Sequence, residues 1–211
     1  MEKQSPDLSE FINYSTIATM LPAIAVFAKA PIPGRVKTRL AVTLGNTEAA
    51  KIYEQMVSLL LQRLHDASDK LPCNVELHTD IPTDAWNAFP VTRHLQSPGD
   101  LGQRMFNTLQ NGLKSGQSPL LILGGDVPTV PIPHLQALLE RPEDIALGPA
   151  EDGGYYAISA RATHPDMFAG VAWSTPNARQ QTITACHRAG LSVWVGPMWF
   201  DIDEPSDLAR I

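Results

Sequence analysis

Three groups of carboxylates and one run of cations are the residues in this sequence best placed to do chemistry. The stretch Leu120-Leu121-Ile122-Leu123-Gly124-Gly125-Asp126-Val127-Pro128 sets an aspartate at the end of an apolar run. Two glycines before it let backbone or ligand approach closely. A carboxylate there can hold Mg²⁺ or Mn²⁺, which prefer oxygen ligands and usually keep substrate phosphate as another. The plainer reading is an aspartate that caps a turn before Pro128. The second group, Glu151-Asp152-Gly153-Gly154, follows Leu147-Gly148-Pro149-Ala150. Adjacent acids repel, so a functional loop competes with a solvated Asp-Gly turn. In the third, Asp201-Ile202-Asp203, alternation along an extended segment sets both acids on one side. One of the two could bind metal with Asp126; the plainer reading is helix capping by Asp203.

The cations lie in Lys29-Ala30-Pro31-Ile32-Pro33-Gly34-Arg35-Val36-Lys37-Thr38-Arg39, where Lys29, Arg35, Lys37 and Arg39 face no acid between Ala28 and Thr47. Guanidinium groups fork onto phosphate oxygens and lysines act as point charges. A phosphate-binding loop, with Gly34 shaping its turn, is one reading; a solvated basic turn is the other. The loop is not a P-loop, since Val36 precedes Lys37-Thr38 and Ile32 stands where the earlier glycine belongs. A G-x-G-x-x-G fingerprint is also missing.

Something must position these groups. The apolar run Leu21 to Ala28 reads as a first strand buried on both faces. Further strands are expected at Asn74 to Thr79, Leu120 to Leu123, Ile145 to Leu147, Tyr155 to Ser159 and Leu191 to Val195. Helical spacing marks Thr47 to Ala67, Asp100 to Lys114 and Ile132 to Leu139. Pro176 to Ala189 reads as a helix capped by Ser174 or Thr175 and closed by Gly190. Asp203 to Ile211 opens as helices often do, with an acid and Pro205. Strands alternating with helices predict a three-layer α/β/α fold with a mostly parallel sheet. Ligands then bind at the carboxyl ends of the strands, which are where the acids and the basic loop fall.

Composition narrows the class. The chain has 211 residues, 44% of them hydrophobic, enough for one domain with a real core. Its net charge of −6 argues against a nucleic-acid partner. Two distant cysteines, Cys73 and Cys186, make no disulfide framework or CxxC zinc site. Residues 1–19 are expected to form an N-terminal tail before a single domain at 20–211. The apolar run after them is too short to cross a bilayer, and the segment before it carries more acids than bases. A cytoplasmic location with no membrane partner is therefore expected. Trp173-Ser174-Thr175 lacks the glycines of a nucleophile elbow. Trp86, Trp194 and Trp199 read as packing residues.

Six stretches in order resemble the DUF2064 family: FAKAPIPGRVKTRL, GDLGQRM, LGGDVP, LGPAEDGGYYAI, WSTP and DIDEPSDL. They run from about Leu21 to Leu208. This family of transferases is labelled glycosyltransferase-like and is also named as associated with radical-SAM/selenodomain proteins. One departure stands near Asp126, where the family commonly has Ser and Cys in place of Gly125 and Val127. The resemblance implies a GT-A-like fold, the architecture of nucleotide-diphospho-sugar transferases. It implies that Asp126 binds Mg²⁺ or Mn²⁺, with Asp203 completing the site and Asp201 or Asp152 as rivals. The basic loop is also similar to that of small guanylyltransferases.

The implied reaction is transfer from a nucleotide, an NTP or an NDP-sugar, to a small-molecule acceptor. Lys29, Gly34, Arg35, Lys37 and Arg39 would hold phosphates. Gly99, Asp100 and Arg104 would lie near base, ribose or acceptor. Glu151, Asp152, Gly153 and Gly154 would meet the acceptor, with Lys37, Asp126 and Asp152 catalytic. The basic loop favours nucleotidyl transfer, since a triphosphate needs more positive charge; the family label favours glycosyl transfer. A nucleotide-binding regulatory module is the non-enzymatic alternative. Oligomeric state is not encoded in any recognisable signal.

Overall fold

The computed structural model describes residues 20–210, so the expected tail at 1–19 lies outside the described residues. The central strand is β1 (Leu21–Ala28). It pairs in parallel with β2 (Asn74–Thr79) on one side and β4 (Gln117–Gly124) on the other. β3 (Thr92–Leu95) adds in parallel outside β2. Beyond β4 come β6 (Tyr155–Ala160), β5 (Ile145–Pro149) and β7 (Val193–Val195), giving the order β3-β2-β1-β4-β6-β5-β7. β6 runs antiparallel to both neighbours, and β5 and β7 pair in parallel. The sheet is mostly parallel, as the alternation of strands and helices predicts.

Side-chain alternation along β1 divides the core into two layers. Ile24 and Val26 pack with Tyr53, Val57, Leu60, Leu61 and Leu64 of α2 (Asn46–Asp66) and with Leu135 and Leu138 of α4 (Ile132–Glu140). Ala23 and Ala25 face the other way. They join Met105 and Leu109 of α3 (Leu101–Lys114) and Cys186 of α5 (Ala178–Arg188). The fold is therefore a three-layer, GT-A-like α/β/α sandwich. Among the described residues no helix is long and apolar enough to cross a membrane.

Some local expectations fail for identifiable reasons. The basic loop does not stay a loop: Thr38–Leu44 forms α1, which ends at Gly45 with φ 82° before α2 begins. β3 escapes sequence reading because four residues facing partly outward show no apolar run. α5 has Asn177, not Ser174 or Thr175, at its N-cap. Ser174 is in the left-handed region at φ 59°, and the Thr175 hydroxyl donates to the Ala172 carbonyl instead. The final expected helix is a short 3₁₀ turn, Pro205–Arg210. Its entry is held by Asp207, whose Oδ2 accepts from the Asp203 and Glu204 amides.

Candidate active site

The carboxyl ends of β1 and β4 open into a cleft of about 830 Å³, a volume suited to a nucleotide-sized ligand. Its acidic floor is assembled from the middle and the C-terminal part of the described chain. Asp126 follows β4 directly, and its carbonyl accepts from the Ile202 amide at 3.0 Å. Phe200 and Ile202 are buried against Met56 of α2. Alternation then turns Asp201 and Asp203 to the other side, toward Asp126. Carboxylate oxygens of Asp126, Asp201 and Asp203 all lie within 4.8 Å of one another. Asp201 thus joins Asp126 and Asp203 rather than standing as a rival to Asp203. Gly124 is needed here, since a Cβ on it would approach the Asp126 Oδ1 to 2.7 Å.

Lys37 enters this acidic group. Its Nζ donates to Asp203 Oδ1 at 2.6 Å and to Asp126 Oδ2 at 3.4 Å, and it lies 5.9 Å from the centre of the Tyr53 ring. The side chain is only 6% exposed. Burial pulls its pKa down, but the charges of Asp126 and Asp203 outweigh that and leave it above the ordinary lysine value. Lys37 holds φ 45°, a left-handed conformation costing a non-glycine residue about 1 kcal/mol or more. The ion pairs offset that cost. Burial, followed by the Asp126 and Asp203 charges, pushes the Asp201 carboxyl up to about 6. Three hard oxygen donors this close, sharing one ammonium, fit a divalent cation such as Mg²⁺ or Mn²⁺.

The other cations are placed less uniformly than their sequence suggests. Arg35 reaches Asp80 at 3.6 Å, and Asp80 also accepts from the Ala30 amide at 2.7 Å, fixing the turn after β1. Arg39 is 3.7 Å from Asp203 and 3.8 Å from Glu204. The Lys29 amide donates to the Tyr53 hydroxyl, and Lys29 lines the cleft. Three of the four cations therefore stand beside acids, which the run from Ala28 to Thr47 could not reveal. Gly34 shapes the turn with φ 80° but does not line the cleft.

Asp100 and Arg104 line the opposite wall. Asp100 caps α3 by accepting from the Gln103 amide, with the Gln103 side chain returning to the Asp100 amide. Arg104 donates to Gln96 Oε1 at 2.9 Å. Gly99 lies outside the lining and serves that capping box, because a Cβ on it would strike Gln103 Oε1.

The Glu151–Gly154 loop splits. Asp152 and Gly154 line the cleft, and Asp152 Oδ1 accepts from the Gly154 amide. Glu151 does not line it. Its two oxygens take both Arg210 nitrogens at 2.9 Å, and Arg210 in turn covers the Phe200 ring. Glu151 thus braces the C-terminal turn, and with Asp152, Asp201 and Asp203 it lines a smaller cavity beside the cleft. Gly153 is also outside the lining. It has φ 90°, and a Cβ there would come within 2.2 Å of the Pro176 carbonyl oxygen.

Several lining residues were missed. Tyr53 read only as a core position of α2, although its hydroxyl end reaches the cleft. Trp173 read as part of an unconvincing motif, yet its ring lies edge-on to Tyr155 and Phe168 at the cleft wall. Gln96 gave no signal. Asp80, which holds Arg35 and the turn after β1 without lining the cleft, did: it directly follows β2, so the rule that singled out Asp126 at a strand's carboxyl end applies to it equally.

The sequence and the fold have counterparts among known proteins. Residues 50–175 match the family described as "Uncharacterized protein conserved in bacteria (DUF2064)". A crystal structure from Desulfovibrio desulfuricans G20, of a protein classed as a nucleotide-diphospho-sugar transferase, is 34% identical. It aligns over 87% of this chain and 82% of its own, with a TM-score of 0.77. A 2-phospho-L-lactate guanylyltransferase of Methanococcoides burtonii is 24% identical over 132 residues, which are 63% of this chain. The match spans 57% of that relative's length. The inositol-1-phosphate CTP transferase from T. maritima shares the fold at 13% identity, over 89% of this chain and 91% of its own, with a TM-score of 0.58.

Proposed function

The chain belongs to the DUF2064 family, and from that premise we propose that it is a metal-dependent nucleotidyltransferase acting on a small-molecule acceptor. One observation carries the reading: Asp126, Asp201 and Asp203 converge at the floor of a nucleotide-sized cleft, where the Lys37 ammonium pairs with Asp126 and Asp203. In the reaction an acceptor oxygen attacks the α-phosphorus of an NTP. The bond to the β-phosphate breaks, and pyrophosphate leaves. Asp126, Asp201 and Asp203 would hold a divalent ion, which would supply positive charge to offset that of the phosphates.

The protein's own part is positioning and electrostatics. Lys37 is the cation nearest the acids, and it can exchange a carboxylate for a phosphate oxygen. Lys29 supplies a further positive charge at the cleft wall, and Arg39 stands beside Asp203 at the outer edge. Arg104, steadied by Gln96, serves the base, ribose or acceptor. Asp152 contacts the acceptor and is the candidate base for its proton. Residues 20–211 act as one transferase domain.

Glycosyl transfer from an NDP-sugar is the second reading, favoured by the class of the Desulfovibrio relative. The guanylyltransferase name of the Methanococcoides relative favours nucleotidyl transfer. A non-catalytic nucleotide-binding module would not need three converging carboxylates. The test is thermal stability of wild type and Asp126→Ala with NTPs, NDPs and NDP-sugars, with and without Mg²⁺, followed by product analysis. A ligand that binds the native state raises Tm. A Mg²⁺-dependent shift with an NTP, lost in the variant, and pyrophosphate release with an acceptor support the proposal. Release of NDP selects the glycosyl reading, and no shift with any nucleotide overturns both.

A further inference from the structure

A second cluster of ligand-type side chains lies away from the acidic floor, on the β2–β3 edge of the sheet. We propose that Glu76, His78 and His94 form a site for a transition-metal ion of the zinc class. Glu76 and His78 are two residues apart on β2 and so share a face. β3 sets His94 directly beside His78 in the parallel register. The two rings lie 4.7 Å apart, and Phe27 stacks on His78 at 5.6 Å.

The donor atoms converge. His78 Nε2 is 2.9 Å and His94 Nε2 3.6 Å from the same Glu76 oxygen, Oε2. Two ligands of a tetrahedral zinc ion, each about 2.0 Å from the metal, stand about 3.3 Å apart. The observed distances bracket that value. His78 Nε2 is within hydrogen-bond distance of Oε2, and His94 Nε2 stands just beyond that reach. The other oxygen, Oε1, accepts from the Gln117 side chain, the kind of outer contact that orients a ligating carboxylate.

Burial suits such a site. Glu76 and His78 are buried, while the His94 side chain is 44% exposed. The cluster therefore has a fixed wall and one open side for a fourth ligand such as water. Imidazole nitrogens select zinc-type ions over Mg²⁺ or Ca²⁺, so the ion differs in kind from one suited to Asp126, Asp201 and Asp203. Bound there, it would tie the short edge strand β3 to β2. It would also lie beside a chain of hydrogen bonds toward the cleft. The His78 carbonyl accepts from Gln96 Nε2 at 2.9 Å, and Gln96 Oε1 accepts from Arg104.

The test is titration of the metal-stripped full-length protein with Co²⁺, whose four-coordinate complexes absorb strongly in the visible. The expected result is one equivalent bound with those bands, displaced by Zn²⁺, and raising Tm. Asp126→Asn should keep the signal, which separates this site from the acidic floor. His94→Ala, altering a half-exposed side chain, should lose it, as should Glu76→Gln if His94→Ala does not fold. Absence of the bands in the wild type, or unchanged bands in a folded His94→Ala or Glu76→Gln protein, overturns the proposal.

Discussion

Lys37 Nζ donates to Asp203 Oδ1 at 2.6 Å across 166 positions of sequence. The contact joins the segment after the first strand to the segment after the last, and it sets the charge of the cleft floor. Replacing Lys37 with Met leaves Asp126, Asp201 and Asp203 without their shared ammonium. Added Mg²⁺ or Mn²⁺ should then raise the Tm of Lys37→Met more than that of wild type, because the ion supplies the missing positive charge. Turnover should fall by about 100-fold or more, the usual scale for losing a group that meets transition-state charge. Differential scanning fluorimetry across a metal series, with steady-state kinetics, checks both.

Asp126→Asn keeps shape and removes charge. The NTP-dependent rise in Tm with Mg²⁺ should disappear, while Tm without ligand should stay level or increase, since three close carboxylates become two. A variant that retains the full nucleotide shift would remove Asp126 from the site.

Glu151→Gln separates a strut from a ligand. Glu151 is exposed, and its contacts are with Arg210, so kcat and KM for acceptor should match wild type. A rise in acceptor KM of tenfold would place Glu151 in the acceptor site.

Gly153→Ala tests the packing that seats the Trp173–Pro176 segment. A methyl group cannot fit 2.2 Å from a backbone oxygen, and the φ of 90° is unfavourable for alanine as well. The variant should lose about 1–3 kcal/mol of stability, read as a lower midpoint in urea. An unchanged midpoint would mean that this segment yields freely.

Thiol reactivity provides a pH test. Burial pushes the Cys73 and Cys186 thiols up to about 11, against an ordinary value of 9.0. A raised thiol pKa leaves less thiolate at neutral pH, by roughly a hundredfold here. Iodoacetamide should label native protein slowly at pH 8, and faster as pH rises toward 11. Rapid labelling at pH 7 would contradict this placement of the two side chains.

Much of this arrangement was legible in the sequence, for physical reasons. A strand buried on both faces shows as the unbroken run at Ala23 to Ala28, and a carboxylate after such a run has few places to go but the sheet's ligand-binding edge. Asp126 was read on that logic, and the alternation of Asp201 with Asp203 gave their common direction. Pairings between distant segments were not legible. Nothing near Arg35 announces Asp80, and nothing near Glu151 announces Arg210, because ion pairs between loops depend on where the strands end in space. β3 was lost because an edge strand lacks the apolar run that identifies a buried one. Asn177 at the start of α5 was unreadable for another reason: its side chain makes no capping bond, so the usual preference had no contact to express.

The strands of the sheet end at Val195, yet two of the three acids on the cleft floor come after it. They are held by the Ile202–Asp126 backbone bond and by the burial of Phe200 and Ile202. Architecture and competence are therefore separable. A single protease cut between Val195 and Asp201 could release both acids while circular dichroism still registered an intact sheet. Spectroscopic nativeness is thus a poor proxy for the active fraction of a preparation, and counting sites by ligand titration is the sounder assay.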